Sequence, residues 1–440
     1  MPQVKTILTS LLAVSLLSSG TTLTLQGTAT DTAYAASASA TSVKPAKDTS
    51  LPLKWSTTTD GIGMYDKLPI LNGILYYSAY PTLYAKNIAT GQVKWSYKNG
   101  GEPQIVTNNS VFFIDNNEQL VKVSADTGKL LWKVKVSKFP IEIGAQVRLI
   151  NGKIYFSNER GGVAVYHPVT GKKIWENTDI PMYVGTIYGE YKGALVVSST
   201  VDNIRTQFFG LDLATGKKLW RTEGFYEYVG VQDGHLLLRK QVKEHYDAET
   251  TPVAGHVLTL VQLDPATGKI SGQEDYKPLN DIDRMSNYYT SIQNPYIYTV
   301  VGNLDKDEYT LTRFTRSQDK ETAEKSYESY GRWLAGPTNG MAFFQKGTQI
   351  TGVNLKNDRV VNFNNPASKV ERLQRVGKAV FAIYENGYLS INHADTGALY
   401  GIIKTGAGYH YFGNVTIEKG IALIPTERKL LAVALPKELQ

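Results

Sequence analysis

The chain has 440 residues, 42% of them apolar and 20% charged, with a formal net charge of +7 and no cysteine. That composition supports a buried core and excludes disulfides, thiolate metal sites, cysteine nucleophiles and a lipid anchor on an N-terminal Cys. The basic residues are scattered, with no RNP, zinc-finger or helix-turn-helix pattern, so the surplus reads as a solvated surface and not as a nucleic-acid site.

The chain opens with an address. Lys5 precedes an apolar run from Ile7 to Leu17, too short for a membrane span, which needs about 20 residues. Ala33-Tyr34-Ala35 then places small residues at the −3 and −1 positions of a cleavage site. The expectation is a signal peptide over 1–35, cleaved after Ala35, and an Ala/Ser/Thr/Lys-rich flexible leader over 36–50. One domain over 51–440 follows, with no membrane span.

From residue 51 onward one unit is written repeatedly. The phrases ATGQVKW (89–95), DTGKLLW (126–132), VTGKKIW (169–175) and ATGKKLW (214–220) are followed by weaker copies at 266–272, 356–362 and 395–401. Thr-Gly predicts a tight turn with Gly at positive φ, and the flanking segments predict a hairpin whose second strand carries Trp at a fixed place. The structural set is Gly91, Gly128, Gly171, Gly216, Gly268 and Gly397, with Trp95, Trp132, Trp175 and Trp220. Each Trp is expected to wedge between neighbouring sheets.

Between these phrases fall short apolar runs bounded by Gly or Asn: 72–78, 109–115, 151–157, 192–198, 233–239, 294–300, 339–345, 377–383 and 419–425. They read as central strands buried on both faces. A spacing near 43 residues is that of a four-stranded propeller blade. Nine units predict an all-β β-propeller of four-stranded antiparallel blades, eight or nine in number, the region 276–330 being the most degenerate. The last unit lacks an outer strand, and the segment 50–56 with Trp55 lacks inner ones. The N-terminal strand is therefore expected to close the last blade.

The pattern A-x-D-x-x-T-G-K-x-x-W resembles the repeat of PQQ-like β-propellers. Ala85, Thr90, Gly91 and Trp95 match it, as do Thr127, Gly128, Lys129 and Trp132, and Asp212, Thr215, Gly216, Lys217 and Trp220. Asp264, Thr267, Gly268 and Lys269 match as well, with Gly272 in the place of Trp. The resemblance implies one of two roles. Quinoprotein alcohol dehydrogenases of this type bind pyrroloquinoline quinone and calcium at the propeller centre, and no residue here aligns with their calcium ligands or catalytic Asp. Scaffold propellers of outer-membrane assembly bind partners through loops on one face, without a cofactor.

The loops joining second and third strands leave the face opposite the Thr-Gly turns, and three consecutive ones are long: 199–206, 240–256 and 302–310. They supply the candidate interaction residues Asp202, Arg205, Glu244, His245, Tyr246, Asp247, His256, Asp305 and Asp307. His245, Asp247 and Glu249 alternate without a recognised metal spacing, so no metal site is assigned. Tyrosines recur in pairs at Tyr226/Tyr228, Tyr288/Tyr289 and Tyr409/Tyr411, placed either to pack between blades or to face the ring interior. No G-x-S-x-G, P-loop or dinucleotide motif is present. The sequence therefore predicts an exported, monomeric, non-catalytic module without cofactor. Its expected partner is a protein or an anionic wall or glycan polymer at the cell envelope, or outside a single-membrane cell. A quinoprotein-type oxidoreductase is the alternative, and a carbohydrate-binding or carbohydrate-active propeller a further one.

Overall fold

A computed structural model describes residues 32–34, 51–60, 67–136, 145–158, 162–180, 185–200, 205–240, 258–276, 286–303, 308–316, 325–363, 368–405 and 412–440. Two short 3-10 turns, Glu328–Tyr330 and Lys437–Leu439, are the only helical elements among them; all other regular structure is strand. The described strands form nine antiparallel sheets, eight of four strands and one of five, sharing the order a-b-c-d, and the chain is a nine-bladed β-propeller.

Each predicted central run is strand b of its sheet. In blade 1 the strands are Ile70–Leu71, Ile74–Ala79, Thr82–Asn87 and Val93–Lys98. Blade 4 runs Thr186–Tyr191, Ala194–Thr200, Thr206–Asp212 and Lys218–Arg221. Strand b is almost wholly buried because a sheet lies on either side of it: Leu195, Val196 and Val197 are all fully buried. The a–b turns take the mirror-image form that suits a twisted hairpin, with Asn72 at φ 51° and Gly73 at φ 76°. The degenerate region forms a full blade 6, Ser286–Gln293, Tyr296–Asn303, Glu308–Thr315 and Lys325–Ser326, although its outer strand has only two residues.

Blade 9 joins the two ends of the repeat region. Leu53–Thr58 pairs antiparallel with Lys429–Ala434, Ser56 opposite Leu431, and supplies strand d to Thr416–Glu418 and Ile421–Pro425. Thr32–Tyr34 adds a fifth strand to blade 8, pairing with Val370–Val376. That strand lies upstream of the expected cleavage site, and cleavage would leave blade 8 with its four.

Two units divide the chain. One is built on 134–304 and 311–326 and carries blades 3 to 6; the other is built on 25–133 and 327–440 and carries blades 1, 2, 7, 8 and 9. Within each, the repeated Trp does one job. Trp175 Nε1 donates to Leu213 O at 3.0 Å and its ring covers Gly216, where an added Cβ would lie 2.4 Å from the indole. Trp220 treats Pro265 O (2.9 Å) and Gly268 in the same way, Trp95 treats Ala125 O (2.9 Å) and Gly128, and Trp55 treats Ile88 O (2.8 Å) and Gly91. The Trp of one blade thus seals the Thr-Gly turn of the next, and the turn needs Gly both for its positive φ and for the ring's close approach.

Candidate functional site

The three long segments 199–206, 240–256 and 302–310 separate strands b and c of blades 4, 5 and 6. Of the candidate residues, Asp202, Glu244, His245, Tyr246, Asp247, His256, Asp305 and Asp307 lie outside the described residues. Arg205 is described.

Arg205 enters strand c of blade 4 with its guanidinium 4.4 Å from the centre of the Phe225 ring. Phe225 is held by a corner that Thr222 builds. The Thr222 N–H donates to Phe208 O (2.9 Å), its hydroxyl accepts from Phe208 N–H (3.0 Å) and donates to Gly224 O (3.1 Å). Gln207 adds a bond from its amide to Thr222 O at 3.1 Å. Thr222 is buried while Arg205 and Phe225 are half-buried, so a rigid corner carries a partly exposed cation-over-ring pair. Beside it Glu227, on strand a of blade 5, is ion-paired with Arg239 directly opposite on strand b, and Lys240 follows in the open.

Deeper in the same unit lies a tyrosine layer. Tyr188 and Tyr228, on strands a of blades 4 and 5, meet at a tilt with centroids 4.6 Å apart, and Tyr188 stacks on Phe208 at 5.2 Å. Tyr226 and Tyr228 are both buried, so this pair packs between blades. Tyr289 is half-buried; the side chains of Tyr288, Tyr409 and Tyr411 lie outside the description. Burial, then Tyr228, push the Tyr191 hydroxyl up to about 12, with Arg148 opposing. Burial also raises Tyr188, and burial followed by the Glu190 carboxylate raises Tyr155, which donates its hydroxyl to Glu190. These phenols keep their protons throughout the physiological range, which suits donors and packing groups and not a base poised near neutrality.

Sequence reasoning missed the polar residues of the inner strands. Gln146 Oε1 accepts the Ile187 N–H at 2.8 Å while Arg148 donates to Ile187 O, so two side chains of blade 3 bind the main chain of one residue of blade 4. The other unit repeats the device. Gln374 accepts from Val415 N–H at 2.8 Å and donates to Val415 O at 3.2 Å, and Arg372 donates to Phe412 O and to Asn414 Oδ1 at 2.6 Å. The signal was Gln and Arg two residues apart on a strand, Q-V-R at 146–148 and R-L-Q at 372–374, whose partners lie about 40 residues away and leave no local trace. Among the described residues no three of His, Asp and Glu converge as a metal site.

A family model, the outer membrane protein assembly factor BamB, matches residues 53–182. That span holds three of the turn-sealing tryptophans, Trp55, Trp95 and Trp175, and the repeat's Trp132. The repeat is similar to that of the PQQ-like β-propellers. Among curated proteins, the chain is 26% identical over 145 residues to the quinoprotein alcohol dehydrogenase PedH of Pseudomonas putida, covering 28% of this chain and 24% of the relative. It is 28% identical over 194 residues to the polyvinylalcohol dehydrogenase of a Sphingopyxis species, covering 40% of this chain and 25% of the relative. The matches thus span about a quarter of each relative's length. Similar solved structures include BamB from Moraxella catarrhalis, at TM-score 0.41 and 11% identity, covering 88% of this chain and 100% of that one. Another is the quinohemoprotein alcohol dehydrogenase ADHIIG from Pseudomonas putida HK5, at TM-score 0.44 and 12% identity, covering 87% and 76%.

Proposed function

We propose that this PQQ-like propeller is a non-catalytic binding scaffold, exported to the cell envelope or beyond after cleavage at Ala35, that presents the loop end of blades 4 to 6 to a protein partner. The observation that carries the reading is the use of the inner-strand polar groups. Gln146, Arg148, Arg372 and Gln374 are spent on main chain of the neighbouring blade, which makes them mortar between sheets. The loop end, by contrast, carries the Arg205–Phe225 pair on a rigid corner, and a half-exposed Arg and aromatic are the groups that dominate protein recognition. The name of the matching family model, an assembly factor, points the same way.

Deletion of 243–252 should leave the thermal melt unchanged and weaken capture of the partner from envelope extracts. Arg205→Ala should weaken it about tenfold, the scale of one interface anchor. Undiminished capture by both variants would remove the loop end from the reading.

The second reading, a quinoprotein-type oxidoreductase, is favoured by the two curated dehydrogenases. Titration of the protein with pyrroloquinoline quinone and calcium, followed by Trp fluorescence, separates the two. The scaffold reading expects no saturable quenching; quenching at micromolar cofactor would replace it with the oxidoreductase and direct assays to alcohols.

A further inference from the structure

The opposite end of blades 3 to 5 carries a feature that folding does not use. In blade 3, Val169 at the turn tip is 68% exposed and Ile174, next to the turn-sealing Trp175, is 49% exposed. In blade 4 the equivalent Leu219, next to Trp220, is 50% exposed, and in blade 5 Ile270 is 40% exposed. All three strand residues lie on the terminal strand of their sheets. Ile174 and Leu219 also fall at a bulge: the register passes from Trp175 to Lys173 and from Trp220 to Lys218, so each drops out of the ladder. A bulge on an outer strand re-aims a side chain, here a large apolar one into water.

Cations are interleaved with these apolar groups. Lys172, Lys173, Lys217, Lys218 and Lys269 are all exposed, against Glu176, Asp212 and Asp264. Those carboxylates are already engaged. Glu176 pairs with Lys173 at 2.5 Å. Asp212 accepts from Ala214 and Thr215, and Asp264 from Ala266 and Thr267, inside the turns.

We infer that the turn end of blades 3 to 5 docks on an anionic phospholipid surface. The lysines would pair with headgroup phosphates while Val169, Ile174 and Leu219 enter the boundary between headgroups and acyl chains. Charge complementarity selects the negative surface, and the apolar tips select lipid over a soluble polyanion, which would leave them in water. The site is independent of the loop end, so a scaffold seated here would hold its recognition loops away from the bilayer.

The test is sedimentation with vesicles of equal phosphatidylglycerol and phosphatidylcholine, against phosphatidylcholine alone, at 0.1 M salt. The chain from residue 36 serves, since it keeps four strands in all nine sheets and lacks the apolar run at 7–17. Binding to the anionic vesicles alone is expected, with about a tenfold loss in Lys217→Glu and a comparable loss in the double variant Ile174→Ser, Leu219→Ser. Unchanged melts would show both variants folded, as the exposure of the three sites requires. Failure of the wild type to bind anionic vesicles overturns the inference. So does unchanged binding by the apolar variant together with equal affinity for soluble poly(glycerol phosphate), which would mark a polyanion site. A wild-type dimer in solution that the apolar variant dissolves would assign the strip to a second copy and overturn it too.

Discussion

Two kinds of joint hold neighbouring blades together. Between blades 4 and 5 the indole of Trp220 lies over Gly268 and is tied to Pro265 O, an apolar seal with one hydrogen bond. Between blades 7 and 8 the equivalent position is Asn362, and no ring is available. There Gly397 comes up against the main chain itself, its Cβ position 1.9 Å from Asn362 O. Polar bonds take over the remainder: Arg359 to Asp395 O at 2.8 Å, Arg332 to Val370 O at 3.3 Å, and Gln345 Oε1 from Val370 N–H at 3.4 Å. The glycine is required in both joints and the residue that meets it is exchangeable. The turn must be approached closely, by a ring or by a backbone.

Replacing Trp220 by Ala should have the largest effect on the joint between blades 4 and 5. The loss of a buried aromatic predicts about 3–5 kcal/mol of destabilisation by urea unfolding, whereas Asn362→Ala should cost under about 1 kcal/mol because the contact there is main chain. Equal effects would show that the Trp is not the seal. Gly397→Ala comes next, at roughly 2–4 kcal/mol, since positive φ and a backbone clash add. Gly152→Ala supplies its control: φ is +74° with nothing within 4 Å of the added carbon, so only the conformational term of about 1 kcal/mol applies.

Gln374→Ala should cost about 1–3 kcal/mol, because it leaves a buried N–H and C=O of Val415 unpaired. The smallest effect belongs to Glu371, on the inner strand of blade 8. Burial raises its carboxyl above the ordinary range, with Lys369 and Arg332 opposing and Glu385 reinforcing. A raised folded-state pKa means that stability is fully present below the ordinary Glu range and is lost as pH rises through the folded value. Glu371→Gln should therefore flatten the pH dependence, with melts matching wild type in acid and exceeding it near neutrality. A wild-type excess near neutrality would show that Lys369 and Arg332 outweigh burial.

Local chemistry alone determined much of the architecture. Nine apolar runs between Gly or Asn turns located every strand b, and Thr-Gly with a following Trp located the c–d hairpins of blades 1 to 4, because burial and turn conformation act over a few residues. The match between the orphan strand at 53–58 and the unit lacking one was legible for the same reason. Tertiary structure decided what lies across a blade boundary. It chose Gly216 as the partner of Trp175 and set the bulges that turn Ile174 and Leu219 outward. It also buried Tyr226 and Tyr228 together and bound Gln146 and Gln374 to peptides about 40 residues on. Those contacts depend on register and on the stacking of one sheet against the next, and a linear pattern carries neither.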